Sequence, residues 1–273
     1  MPKFDMAAAW DDSMVLLRSY GALTGAIAAV FLFLPTLAVG WFGPVPVEPA
    51  ANASVQQMLA ALAENMRAAM PYQLALMLAA AIGGVGVLRL WLSRTGTSVG
   101  DALVFALRMI PTMIALYILL VFALAFASLV LVMPGAMLGG VGGASLLLVG
   151  AVLLTGLSIY GWGRLALVSA VIADRSESNP LAAIRASLTL TRGNGWRIAA
   201  FLLLVTLVVM IAAGLVVGAL AALEGMSGQG GAVRLLSGLA EAGIAAVGGL
   251  VSLAVTAAAY RQLAAPERED IFR

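Results

Sequence analysis

The chain has 273 residues, 63% of them hydrophobic and only 10% charged, with a mean hydropathy of +1.06. Ordinary soluble domains are roughly a quarter charged, so a water-soluble fold is excluded. The net charge of +2 offers no broad basic field, which excludes nucleic acid as a partner. Cysteine and histidine are both absent, so disulfides, thiolate nucleophiles, histidine-based triads and the usual zinc sites are excluded too, and no cofactor or metal is expected.

Crossing the hydrocarbon core takes about 20 apolar residues in a helix. Six stretches have that length: 20–41, 70–88, 109–133, 144–162, 198–223 and 237–260. The expected fold is all-α, a polytopic six-helix transmembrane bundle with short interfacial helices, forming one membrane domain over residues 1–273.

Taken in chain order, Met6, Trp10, Met14 and Leu17 recur at helical spacing and predict an interfacial helix ahead of the first span. That span is too long for the apolar region of a signal peptide. It also follows Asp5, Asp11 and Asp12 rather than a basic segment, so it is expected to stay in the mature protein. Pro2 and the lack of cysteine leave no lipidation motif. Within the span, Gly21 and Gly25 form a GxxxG pair, which predicts close helix packing. The outer loop between spans one and two holds an amphipathic segment from Ser54 to Met66, with Val55, Met58, Leu59, Leu62 and Met66 on its apolar side.

Ahead of the third span, Val99, Leu103, Ala106 and Ile110 form a second interfacial stripe opposite Asp101 and Arg108, with Ser98 and Asp101 spaced as a capping box. Spans three and four are joined by a glycine-rich stretch, Gly135 to Gly143, read as a flexible turn. Gly161, Gly163 and Ala166 match the spacing of a dinucleotide fingerprint, but no strand precedes them and they sit at the end of an apolar helix, so no cofactor binding is expected there.

The fourth loop is the richest stretch. Asn179 as N-cap and Pro180 at the first helical position predict a third short helix carrying Leu181, Ile184 and Leu188 on one side. Arg185 and Arg192 flank that stripe, and Gly193-Asn194-Gly195 turns into Trp196, Arg197 and the fifth span. Gly214 and Gly218 form a second GxxxG pair within that span. Asp174 and Glu177 are three residues apart and read as a solvated pair beside Arg175 rather than a cation site.

Basic residues set the expected orientation. Lys3 and Arg18, then Arg89, Arg94 and Arg108, then Arg164, Arg175, Arg185, Arg192 and Arg197, then Arg261, Arg268 and Arg273 fall on one side. Only Arg67 and Arg234 fall on the other. The first side is therefore read as cytoplasmic, with both termini on it. All charges lie near an interface, which lowers the expectation of an ion-coupled transporter. The succession of interfacial helix, span, outer loop and span occurs three times, at a period of about 85 to 90 residues judged from Arg18, Arg108 and Arg192, so a threefold internal repeat is expected.

Asp174-Arg175 followed by Pro180, Ala183, Ile184, Ser187, Leu190, Thr191, Gly193, Trp196 and Arg197 resembles the P-x-x-A-h-x-x-S-x-x-L-T-x-G-x-x-W-R signature of two related bacterial groups. These are the YciC-like inner-membrane proteins and the membrane domain attached to some glycerophosphodiester phosphodiesterases. Ala259-Tyr260-Arg261-Gln262-Leu263 is similar as well. The resemblance implies a multi-pass protein of the bacterial inner membrane, a setting that the alanine- and glycine-rich composition with Lys3 as sole lysine also suits. It does not imply diester hydrolysis, because that chemistry resides in a separate soluble barrel with histidine ligands.

The expected function is non-enzymatic: lipid interaction, or support of a membrane protein partner, through a surface made by Arg175, Arg185, Arg192, Trp196 and Arg197. The alternative is a transporter or channel for a neutral or amphiphilic solute. A membrane enzyme ranks third, since no catalytic constellation can be assembled.

Overall fold

Asp5 opens the first helix: its Oδ1 accepts from the backbone N–H of Ala7 (2.9 Å) and Ala8 (3.2 Å), satisfying donors that a helix start leaves unpaired. The structure is a computed structural model and describes residues 3–45, 47–50, 52–93, 96–227 and 231–269. Among them every regular element is helical: α1 (Met6–Ser19), α2 (Gly21–Ala28), a π-helical turn (Ala29–Phe33), α3 (Leu34–Phe42), α4 (Val55–Leu92), α5 (Val99–Arg108), α6 (Ile110–Leu131), α7 (Met133–Leu138), α8 (Gly140–Leu165), α9 (Val168–Arg175), α10 (Pro180–Leu190), α11 (Gly195–Ser227) and α12 (Gly231–Glu269).

Six segments are long and apolar enough to cross a membrane: Gly21–Phe42, Gln56–Leu92, Ile110–Leu138, Gly140–Arg175, Gly195–Leu220 and Leu235–Ala264. Of the residues that set the expected orientation, Arg94 and Arg273 lie outside the described residues, as do the side chains of Arg234 and Arg268. The three short helices ahead of spans one, three and five are present as α1, α5 and α10. Ser98 caps α5 by accepting from Asp101 N–H (3.1 Å), and Asn179 caps α10 by accepting from Leu181 (3.0 Å) and Ala182 (3.4 Å).

Four expectations need correction. The amphipathic outer segment is not a separate loop element: Ser54 and Gln57 close a capping box, and from there α4 runs unbroken for 38 residues, so the second span begins well before residue 70. The glycine-rich stretch between spans three and four is mostly helix. Only Gly139 and Gly140, at φ 63° and 60°, make the turn, in a region that costs glycine little. The fourth span does not end at residue 162; it reaches Leu165, turns over two residues and continues as α9 to Arg175.

The fourth correction concerns packing. The contacts expected of Gly21, Gly25, Gly214 and Gly218 are not made within this chain, since a Cβ on any of them would meet nothing within 4 Å. Other glycines bring helices together. A Cβ on Gly163 would stand 2.6 Å from the Gly195 carbonyl oxygen and 2.6 Å from the Ala199 Cβ, joining α8 to α11. A Cβ on Gly83 would stand 2.7 Å from the Phe31 Cβ. Phe31 sits in the π-helical turn, where Pro35 lacks an N–H and its ring crowds the carbonyl four residues back, which widens the helix there.

The core gathers at one end of the bundle. There the last turns of α4 (Val85 to Leu92), α9 from Val168 to Ala173 and α12 from Ala254 to Ala264 are enclosed on nearly every side. Ala254, Ala257, Ala258 and Ala259 let α12 approach its neighbours closely, the device membrane helices use where lipid removes the hydrophobic drive. The short helices surround this centre in cyclic order, each against the second span of the preceding pair: α1 on α12, α5 on α4, α10 on α9 and α8.

Candidate functional site

Helix ends dominate the chemistry of this packed end. A helix leaves its last carbonyls without donors, and arginine near a C-terminus satisfies both their lone pairs and the dipole. Arg89, on α4, donates through Nη1 to the carbonyl oxygens of Ala173 (2.7 Å) and Asp174 (3.4 Å) and to Ser176 Oγ (3.2 Å), closing the end of α9. Its guanidinium also lies 4.5 Å from the centre of the Phe105 ring. Arg261, on α12, donates through Nη2 to the Trp91 carbonyl oxygen at the end of α4. The Tyr260 hydroxyl on α12 donates to Asp174 Oδ2 (2.7 Å), and Arg175 hydrogen-bonds the same phenol. Arginine links therefore run from α4 to α9, from α9 to α12 and from α12 back to α4.

Arg89 and Arg261 entered the sequence reading only as orientation markers. A signal for them exists: Asp174 and Tyr260 lie 86 residues apart, and the same step leads from Arg89 to Arg175 and from Arg175 to Arg261. Asp174 and Glu177 are both engaged within the chain, Glu177 Oε1 accepting from Asn179 N–H (2.9 Å). Among the described residues no group of three His, Cys, Asp or Glu is placed to hold a metal ion.

The segment ahead of α1 closes over this end. Phe4 N–H donates to Asn194 Oδ1 (3.0 Å), while Asp5 N–H donates to Gln262 Oε1 (3.0 Å) and Gln262 Nε2 donates back to the Asp5 carbonyl (3.3 Å). Phe4 packs on Phe201 with ring centres 5.7 Å apart.

Several positions of the P-x-x-A-h-x-x-S-x-x-L-T-x-G-x-x-W-R segment have a structural explanation. The fourth span turns between α8 and α9, next to the Arg164 carbonyl. Ser187 Oγ (2.9 Å) and Thr191 Oγ1 (3.2 Å) donate to that carbonyl. Ala183, Ser187, Leu190 and Thr191 are buried against that turn, Gly193 adopts φ 79°, and Gly195 leaves room for the stem of Arg164, whose Cδ would be 2.6 Å from a Cβ there.

Of the expected surface residues, Arg185, Arg192, Trp196 and Arg197 are all exposed, on α10, its closing turn and the first turn of α11. Trp196 is 61% exposed and meets Tyr160 of α8 with ring centres 5.2 Å apart. Arg175 is exposed as well, at the end of α9, where it also hydrogen-bonds the Tyr260 phenol of the arginine-linked centre. Arg164, expected only as an interfacial charge, lines an open groove of about 560 Å³ between α6, α8 and α10, with Leu119, Leu120, Tyr160, Leu181 and Leu188.

This architecture defines a multi-pass α-helical membrane protein whose built features cluster at one end. No family model, no curated protein sequence and no solved structure matches the chain.

Proposed function

We propose that this is a non-enzymatic multi-pass protein of the bacterial inner membrane, with its arginine-rich end and both termini in the cytoplasm, that engages anionic lipid through that end. One observation carries the reading: Arg185, Arg192 and Arg197 are exposed together with Trp196 on a rigid frame of capped helices. Guanidinium groups attract anionic headgroups at about 1 kcal/mol each, and indole rings favour the headgroup depth. The resemblance to the YciC-like proteins agrees with this setting. The cyclic packing of α1, α5 and α10, with the 86-residue step, supports reading the chain as three copies of one unit.

The test compares the wild-type chain with R185Q/R192Q/R197Q, each extracted with surrounding bilayer in polymer nanodiscs and read by native mass spectrometry. The expected outcome is enrichment of anionic over zwitterionic lipid around the wild type and loss of that enrichment in the variant. Equal lipid composition for the two proteins removes the claim of this face. A protein recovered in fixed ratio with the wild type, and lost with the variant, redirects the reading to a partner-supporting role.

A further inference from the structure

Arg164 differs from Arg89, Arg175 and Arg261 in that its guanidinium binds no partner among the described residues. Its backbone carbonyl is held by Ser187 and Thr191, yet among the described residues its guanidinium has neither a hydrogen bond nor an ion pair. The side chain is half-buried, in a spanning segment, against a groove walled by leucines. A cation in such surroundings is costly unless paired, and the groove supplies no acceptor side chain of opposite charge.

Packing at this level does not require an arginine. One 86-residue step from Arg164 in either direction reaches Leu78 and Leu250. Leu78 lines a smaller groove of about 160 Å³ between α4 and α6, with Met77, Met113 and Leu116 and no charged side chain. That groove is lined by apolar side chains and Tyr117 alone, whereas the larger one carries one positive charge.

We propose that the groove between α6, α8 and α10 binds one anionic diacyl phospholipid, its phosphate on Arg164 and an acyl chain along Leu119, Leu120, Leu181 and Leu188. Three observations select this occupant. Guanidinium matches phosphate with paired hydrogen bonds. Hydrocarbon walls suit an acyl chain and disfavour a soluble anion, and the volume lies in the range of built ligand sites. The Tyr160–Trp196 pair beside Arg164 marks the depth at which headgroups lie. The inference rests on the reading that the arginine-rich end meets a lipid leaflet, but it depends on a different residue from the exposed three.

The full chain, stripped of lipid in detergent, is titrated with phosphatidylglycerol or phosphatidylethanolamine of identical acyl chains and read by native mass spectrometry. The expected result is a single phosphatidylglycerol bound about tenfold tighter than phosphatidylethanolamine, whose phosphate also accepts from a guanidinium but whose ammonium offsets the net charge that Arg164 would neutralise. R164M removes that preference, because methionine keeps the aliphatic stem over Gly195 and leaves the carbonyl bonds of Ser187 and Thr191 in place. R164K retains part of it, and A123W, which fills the groove, weakens binding with the charge intact. The exposed triple variant loses only the weaker additional lipids.

Equal affinity for the two lipids, wild-type affinity in R164M, or displacement of the lipid by inorganic phosphate at comparable concentration each overturns the proposal. Loss of preference in the triple variant with none in R164M sinks the groove and keeps the face. The reverse pattern sinks the face and keeps the groove.

Discussion

The arginine-linked end and the hairpin of α6 and α8 obey different packing rules. At the former, α4, α9 and α12 enclose one another with alanines and glycines, and their ends are closed by Arg89, Tyr260 and Arg261. Along α6, by contrast, Phe122, Leu124, Phe126, Leu129 and Val130 are exposed. Lipid solvates such side chains as well as a protein interior does, so large apolar residues alone do not draw membrane helices together. What draws them together is close backbone approach and hydrogen bonding. The hairpin follows this rule at its far end, where Gly150 meets the Leu131 carbonyl and a Cβ on Gly135 would be 2.5 Å from Leu147 N. Toward α10 the two helices part, and the groove at Arg164 fills the gap.

The largest effect should come from asking which end faces which side, because the answer is all-or-none. The chain contains no cysteine, so single replacements report cleanly. In intact cells, S54C should react with a membrane-impermeant maleimide, while S178C should react only after the membrane is opened. The opposite pattern would invert the orientation and remove the premise of a cytoplasmic lipid face.

Next comes a pair of glycines. Gly163→Ala forces a methyl into the Gly195 carbonyl and Ala199 and should destabilise the fold by about 1 to 3 kcal/mol, read as thermal unfolding in detergent. Gly214→Ala meets open space and should be neutral, or stabilising by about 0.5 to 1 kcal/mol through helix propensity. A drop in oligomer mass for Gly214→Ala would assign its GxxxG pair to contact between copies, and equal loss of stability in both variants would break the contrast between the two regions.

These glycines also mark what was legible in the sequence. The six spans and the caps at Ser98 and Asn179 could be read because length, hydropathy and capping are local properties. The inward face of a span could not. On a helix such as α11, apolar on every side, no polar stripe marks the outside, so the GxxxG spacing at Gly214 looked no different from the working approach at Gly163. The exposed Arg185, Arg192 and Arg197 stood out as a dense cluster, whereas Arg89 and Arg261 reach partners 84 and 170 residues away and passed as ordinary interfacial charges. The turn at Arg164 was hidden for the same reason, since its donors, Ser187 and Thr191, lie 23 and 27 residues downstream.

Arg89→Met tests the arginine links themselves. It removes the donors on Ala173, Asp174 and Ser176, and should cost about 2 to 3 kcal/mol of thermal or denaturant stability. Arg108→Met, at an exposed position on α5, should stay within about 0.5 kcal/mol. A small and equal effect for both would mean that the linked end is held by close packing alone.

The smallest effect expected concerns the turn that separates α8 from α9. Thr191 is fully buried and shares its one hydroxyl proton between the Ser187 carbonyl (2.8 Å) and the Arg164 carbonyl (3.2 Å), so Thr191→Val keeps the shape and removes the donor. Ser187 still serves the Arg164 carbonyl, which limits the loss to about 1 kcal/mol. Thr189→Val, two residues away and exposed, provides the matched control near zero. Hydrogen exchange at Leu167 and Val168 gives the sharper readout, because a loosened turn should raise exchange there before it lowers global stability. Faster exchange in Thr191→Val alone would tie the shape of this turn to the hydroxyl; unchanged exchange would assign the turn to the packing of Ala183 and Leu190 instead.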